Sequence, residues 1–181
     1  AELAPAKNIV DLSTYLAIDR ADEETIMEEL QGRITDKVCY SFQVKDKSAE
    51  GGVRTVEGIG WRGAMQIAKE LKGIGADPNV RPSGEITEDK IFVMVFCRDY
   101  ATNVGVWGAS WQKLTMTRWN KELQREEVVE DPFAFIKALN KAQRNGILAL
   151  IDETTKKKYI DLWKSQGKVK EITTPVQPSV S

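Results

Sequence analysis

The spacing of apolar side chains along the 181 residues changes period several times, and each change predicts an element. "NIVDLSTYLAI" reads as a short helix or a docking arm, and "DRADEETIMEELQGR" as a helix of its own. In the latter, Asp22 takes the N-cap, acids fill the first turn where they complement the helix dipole, and Gly32 follows the last periodic residue. "DKVCYSFQV" then alternates around Val38, Tyr40, Phe42 and Val44. "KDKSAEGG" is rich in turn formers and "VRTVE" is again strand-like, so residues 37–57 read as a hairpin.

Helical spacing returns in "GWRGAMQIAKELKG", which aligns Ala64, Ile67, Ala68 and Leu71 and ends on Gly73. Beyond a Pro/Gly/Asn-rich stretch, "GADPNVRPSGE", the strand "KIFVMVFCRDY" and the extended "TNVGVWGASWQKLT" are joined by a turn-forming "ATN", a second hairpin. Asp131-Pro132 opens a helix running through "FAFIKALNKAQRNGILALI", with Asp as N-cap and Pro at the first helical position. A last helix over residues 153–166 stops at Gly167, and residues 173–181 are expected to be a disordered tail. The order α-β-β-α-β-β-α-α has no repeats and no strand–helix alternation of the doubly wound kind. It predicts one α+β domain over residues 1–172, with an N-terminal helical arm. Its β-β-α-β-β-α core is an antiparallel β-sheet of two hairpins with helices packed on one face.

Composition narrows the chemistry. The chain has no histidine, which removes Ser-His-Asp and Cys-His nucleophile systems, His-containing metal sites and imidazole acid–base catalysis. Cys39 and Cys97 each lie inside an apolar run and outside any CxxC pair, so buried free thiols are expected and a metal site is not. No apolar run approaches the roughly 18 residues of a membrane span, and the N-terminus lacks the apolar stretch of a secretory leader, so a cytoplasmic setting is expected. The net charge of −1 conceals an uneven distribution. Residues 1–50 hold 6 Lys/Arg against 11 Asp/Glu, residues 51–112 hold 7 of each, and residues 113–170 hold 13 against 8. Such asymmetry suggests that one face or end meets an anionic partner.

Three features carry candidate chemistry. Gly58-Ile59-Gly60-Trp61-Arg62-Gly63 matches G-x-G-x-x-G, with Asp77 where a ribose-binding acid would stand. The preceding strand is short and charged, Trp61 is bulky, and no second βαβ unit follows, so a tight strand-to-helix turn competes with dinucleotide binding. No Walker A motif occurs, which argues against ATP-driven work on nucleic acid. On the helix opened by Pro132, Lys137, Asn140, Lys141, Arg144 and Asn145 fall within an arc of roughly 140°, opposite most of the apolar residues. A stripe with three cations and no acid suits a phosphate backbone, although it also describes an ordinary basic surface. Finally, Trp107, Trp111 and Trp119 lie near Lys113, Arg118, Lys121 and Arg125. Aromatics among cations hold single strands by stacking bases while the cations meet phosphates; equally, one of Trp107 and Trp111 is expected in the core. Trp61 and Trp163 read as packing residues, and Lys156–Lys158 as a solvated basic run.

"VEGIGWRGAMQIAKEL" resembles the strand-to-helix segment of phage-type single-strand annealing proteins, the superfamily of RecT, Redβ and Rad-fifty-two. "DPFAFIKALNKAQRNGILALI" is similar to a later helix of that group, where a Lys-Ala-x-Arg-Asn pattern precedes an apolar run. The resemblance covers residues 35–165 and implies ATP-independent binding of single-stranded DNA and annealing of complementary strands, in recombination, repair or replication. It implies a homo-oligomer, ring or helical filament, with the strand in a basic groove, no cofactor, no metal and no catalysis of its own. The matching groove-facing residues here are Lys137, Lys141 and Arg144; Lys113, Arg118, Lys121, Trp111 and Trp119 join them from the reading of the residues. The near-neutral total charge departs from that pattern. A protein-interaction module without DNA binding, or a cofactor enzyme using the Gly58–Gly63 turn, are the rival readings.

Overall fold

The computed structural model describes residues 12–172. They form α1 (Leu12–Leu30), β1 (Cys39–Lys45), β2 (Val53–Ile59), α2 (Trp61–Leu71), β3 (Ile74–Ala76), β4 (Ser83–Thr87), β5 (Lys90–Asp99) and β6 (Val104–Lys113). Then follow β7 (Thr115–Asn120), β8 (Arg125–Glu130), α3 (Ala134–Ala149), α4 (Glu153–Ser165) and β9 (Val169–Glu171). The class is α+β, as the pattern predicts, and both expected hairpins are present: β1 with β2, and β5 with β6.

The arrangement differs from the expectation in that there are three sheets rather than one. The first runs β2-β1-β9, and its β1–β9 pair is parallel, the exception to the expected antiparallel pairing. The second has β5 at its centre: β3 and β4 pair with successive stretches of it, and β6 pairs along its whole length. The third is the isolated hairpin β7–β8. Periodicity missed β4 because all five of its residues are exposed, leaving no apolar alternation to detect. Strands β7 and β8 are similarly open, and β9 is only three residues long. The expected tail, residues 173–181, lies outside the described residues.

Two helix starts are corrected. Asp22 is not an N-cap: it lies within α1, one continuous helix of 19 residues, and its carboxylate is committed to partners on other elements. Helix α3 begins at Ala134, slightly later than Pro132, although Asp131 still accepts the Phe133 amide at 3.0 Å.

The core lies between the second sheet and α3. Strict alternation along β5 turns Ile91, Val93, Val95 and Cys97 inward, where each fully buried aliphatic side chain contributes about 1.5–3 kcal/mol. Helix α3 answers with small residues at a four-residue interval, Ala138, Ala142 and Gly146, which let its backbone lie directly on β6. A Cβ at Gly108 would stand 2.1 Å from the Ala142 carbonyl oxygen, so this crossing needs glycine. Trp163 of α4 is fully buried against the same cluster, as expected of a packing residue, and both cysteines are buried and free.

Candidate functional site

The cationic row of α3 is where residue reasoning and tertiary structure part most sharply. Lys137, Lys141 and Arg144 are 5, 2 and 7 % exposed, so the stripe is not a solvated face. Helix α1 lies over it. Asp19, Asp22 and Glu23, at i, i+3 and i+4, share one side of α1 and meet the row. Arg144 donates to Asp22 and, at 2.8 Å, to Asp19. Lys141 Nζ donates to Glu23 at 2.9 Å, to Gln112 at 2.8 Å and to the Trp111 carbonyl at 3.1 Å. Lys137 pairs with Asp131 at 2.7 Å. The acidic first third of the chain thus neutralises part of the basic last third, and the charge asymmetry is satisfied in part within the molecule. Helical geometry alone showed three cations without an acid because the acids of Lys141 and Arg144 arrive from more than a hundred residues away, and that of Lys137, Asp131, precedes the helix.

Asp22 is the centre of this network. Its carboxylate accepts the Trp61 amide at 2.9 and 3.1 Å, the Tyr40 hydroxyl at 2.9 Å, and Arg144. Burial pushes the carboxyl above its ordinary range, opposed first by the charge of Arg144 and then by the hydrogen bonds. Arg144 is shifted upward: burial opposes its charge, and Asp22 and Asp19 outweigh it. Because Trp61 opens α2, Asp22 occupies the anion position at that helix's N-terminus. The Gly58–Gly63 turn therefore faces its own chain. A Cβ at Gly58 would meet Ile18, one at Gly60 would meet Tyr40 and Asp22, and one at Gly63 would meet the Val38 carbonyl. Asp77 pairs with Arg98 instead, at 2.9 Å.

A second constellation lies on the opposite face of the β5–β6 sheet. Directly paired residues share a face, so the register aligns Lys90 with Lys113, Phe92 with Trp111, Met94 with Ala109, Phe96 with Trp107 and Arg98 with Gly105. Phe92, Met94, Trp107 and Trp111 are all exposed, which corrects the expectation that one of the two tryptophans is core. Phe96 and Trp107 pack edge to face with ring centroids 5.1 Å apart. Lys90 Nζ sits 4.8 Å over Trp111, and the Arg98 guanidinium sits 5.2 Å over Phe96. Trp107 and Trp111 are four strand residues apart, or about 13 Å. The result is an aromatic ladder with a cation at each end and Lys113 beside it; two acids adjoin it, Glu85 of β4, paired with Phe92, and Asp77, bridged to Arg98.

The sequence-derived candidates therefore divide among three places. Trp111 and Lys113 belong to the ladder, and Lys137, Lys141 and Arg144 to the covered row. Arg118, Trp119 and Lys121 sit on the β7–β8 hairpin, with Trp119 exposed and Arg118 bridged to Glu127 at 2.9 Å. Sequence reasoning omitted Lys90, Phe92, Phe96, Arg98 and Trp107 from the site. The signal was available: period-2 alternation that buries Ile91, Val93, Val95 and Cys97 obliges Phe92, Met94 and Phe96 to share the other face.

Among the described residues no group of three or more Cys, Asp or Glu is placed to hold a metal ion, and no helix is long and apolar enough to cross a membrane. Comparison with protein-family models, with curated proteins and with solved structures found no match.

Proposed function

We propose that the protein binds single-stranded nucleic acid on the outer face of β5 and β6 and promotes pairing of complementary strands without ATP, as an oligomer. The observation that carries this reading is the ladder of Phe92, Trp111, Phe96 and Trp107, in which Phe92, Trp111 and Trp107 are exposed, with Lys90 and Arg98 at its ends. Bases stack on exposed rings whatever their identity, and cations alongside meet the phosphates that connect them. Such a surface holds a strand without hydrolysing anything, so pairing energy drives the annealing. The β7–β8 hairpin favours self-assembly. It pairs with no other strand among the described residues and exposes Trp119, Leu123 and Val128, which a neighbouring copy would cover. Repetition of the ladder along one strand would then supply avidity.

The test is titration of the full chain with oligothymidylate, followed by tryptophan fluorescence and by anisotropy of a labelled strand. Trp107→Ala with Trp111→Ala should weaken binding by about 1–3 kcal/mol for each base that loses its stack, while the folded circular-dichroism signal remains. Undiminished affinity in that variant would remove the ladder from the binding surface.

A further inference from the structure

Resting on the proposed binding of single strands, we infer that α1 is a displaceable carboxylate cover seated on a second phosphate-binding row, formed by Lys141 and Arg144 of α3 beside the N-terminus of α2. The donors converging there are those that bind phosphate: a guanidinium, an ammonium and the Trp61 amide at the start of a helix. In this state Asp19, Asp22 and Glu23 satisfy them. Phosphodiester oxygens of a bound strand offer the same acceptors, so α1 and the strand compete for one set of cations.

The attachment of α1 suits a cover. Among its described side chains the buried apolar ones are Ala21 and Ile26, with Ile18 against Gly58; ion pairs and the hydrogen bonds of Asp22 and Thr25 with Tyr40 supply further hold. Asp19 and Glu23 are about a quarter exposed on their side chains, which gives water and counterions a route into the ion pairs. Two outlying bridges, Glu29 to Arg62 at 2.7 Å and Glu24 to Lys170 at 3.2 Å, are of the same ionic kind. The row also adjoins the aromatic ladder. Lys141 Nζ reaches the Trp111 carbonyl and Asn145 reaches the Ala109 carbonyl at 2.8 Å, so α3 follows β6, whose outer face carries the rings. The rings and α3 lie on opposite faces of the sheet, so a strand stacked on Trp107 and Trp111 would bring its phosphates to the row over the edge of β6 once α1 lifts. The buried Asp22 sets the threshold: a ligand must replace several of these bonds together, which favours long strands over single phosphates.

The test uses the full chain and its Asp19→Asn, Glu23→Gln double variant, with oligothymidylate and linear polyphosphate as probes. Polyphosphate has no bases and reports the row alone. The variant should bind both probes at least about five-fold more tightly, because a larger fraction of molecules has the row open. In the unmodified chain, amide hydrogen exchange across residues 12–30 should speed up when either probe is added. Equal affinities in the two proteins, together with α1 exchange unchanged by both probes, would overturn the inference and make α1 a permanent part of the fold. A gain for polyphosphate without oligothymidylate binding by either protein would uphold the covered row and reject the nucleic-acid reading.

Discussion

Replacing Arg144 by Met tests the buried network directly. The change keeps a long unbranched side chain and deletes the guanidinium. What remains is the Asp22 carboxyl, 1 % exposed on its side chain, with the Trp61 amide and the Tyr40 hydroxyl but no counter-charge. Removing one partner of a buried ion pair costs about 3–5 kcal/mol, because the other charge is left desolvated. Were Arg144 a solvated surface cation, the same substitution would stay within about 0.5 kcal/mol. For a chain of this length about 2–4 °C of melting temperature accompany each kcal/mol, so a loss of about 10 °C is expected. The pH dependence follows from Asp22. Burial already raises this carboxyl, and the Arg144 charge is the first of the influences holding it down, so in the variant it rises further. A folded pKa above the unfolded value makes the penalty complete at pH above the folded pKa. The penalty then fades as pH falls toward the ordinary carboxyl range near 4, where both states bind the proton. Urea unfolding monitored by circular dichroism at several pH values is the assay. Arg118→Met, which breaks the exposed hairpin bridge to Glu127, serves as control and should cost about 0–1 kcal/mol. Equal costs for the two variants at neutral pH, or an Arg144 penalty that grows on acidification, would refute the reasoning.

Gly108→Ala should cost about 1–3 kcal/mol or more in urea unfolding, since the new methyl group meets the α3 backbone at Ala142 and Gly146 rather than a movable side chain; full stability would disprove the close crossing. Burial pushes the Cys39 and Cys97 thiols up to about 11, with Glu57 adding to the effect at Cys39. At pH 8 only about one thiol in a thousand is then ionised, so a thiol-reactive dye should label neither in the native protein and both in urea. Asp152 caps α4 by accepting the Thr155 hydroxyl and amide, which hold its carboxyl below the ordinary value. Its contribution is present above the unfolded pKa and disappears as pH falls through the folded one, so the protection of amides at the start of α4, relative to their intrinsic exchange rate at each pH, should fall in acid and remain constant above neutrality.

Much of the local architecture was legible in single-residue patterns. Alternation in "KIFVMVFCRDY" located β5, the "ATN" turn joined it to β6, and helical spacing found α2 and α4 nearly to the residue. Gly32, with φ of 77°, and Gly167, with φ of 68°, ended their helices where expected. These features depend on neighbours a few residues apart, which a linear reading samples well. The exposed strands β4, β7 and β8 escaped because their residues pack against no core and so have no reason to alternate. The site was legible only in its parts. The three tryptophans, the cations of α3 and the G-x-G-x-x-G turn are all visible in the chain, but which of them meet each other is not. Burial of Lys141 and Arg144 is decided by acids more than a hundred residues earlier, and occupation of the α2 N-terminus by Asp22 from the same helix. Exposure of Trp107 and Trp111 is decided by which face of β6 receives α3. Periodicity states that two faces exist; only tertiary packing chooses which is covered, because that choice turns on long-range charge pairing and backbone contact, to which local spacing is blind.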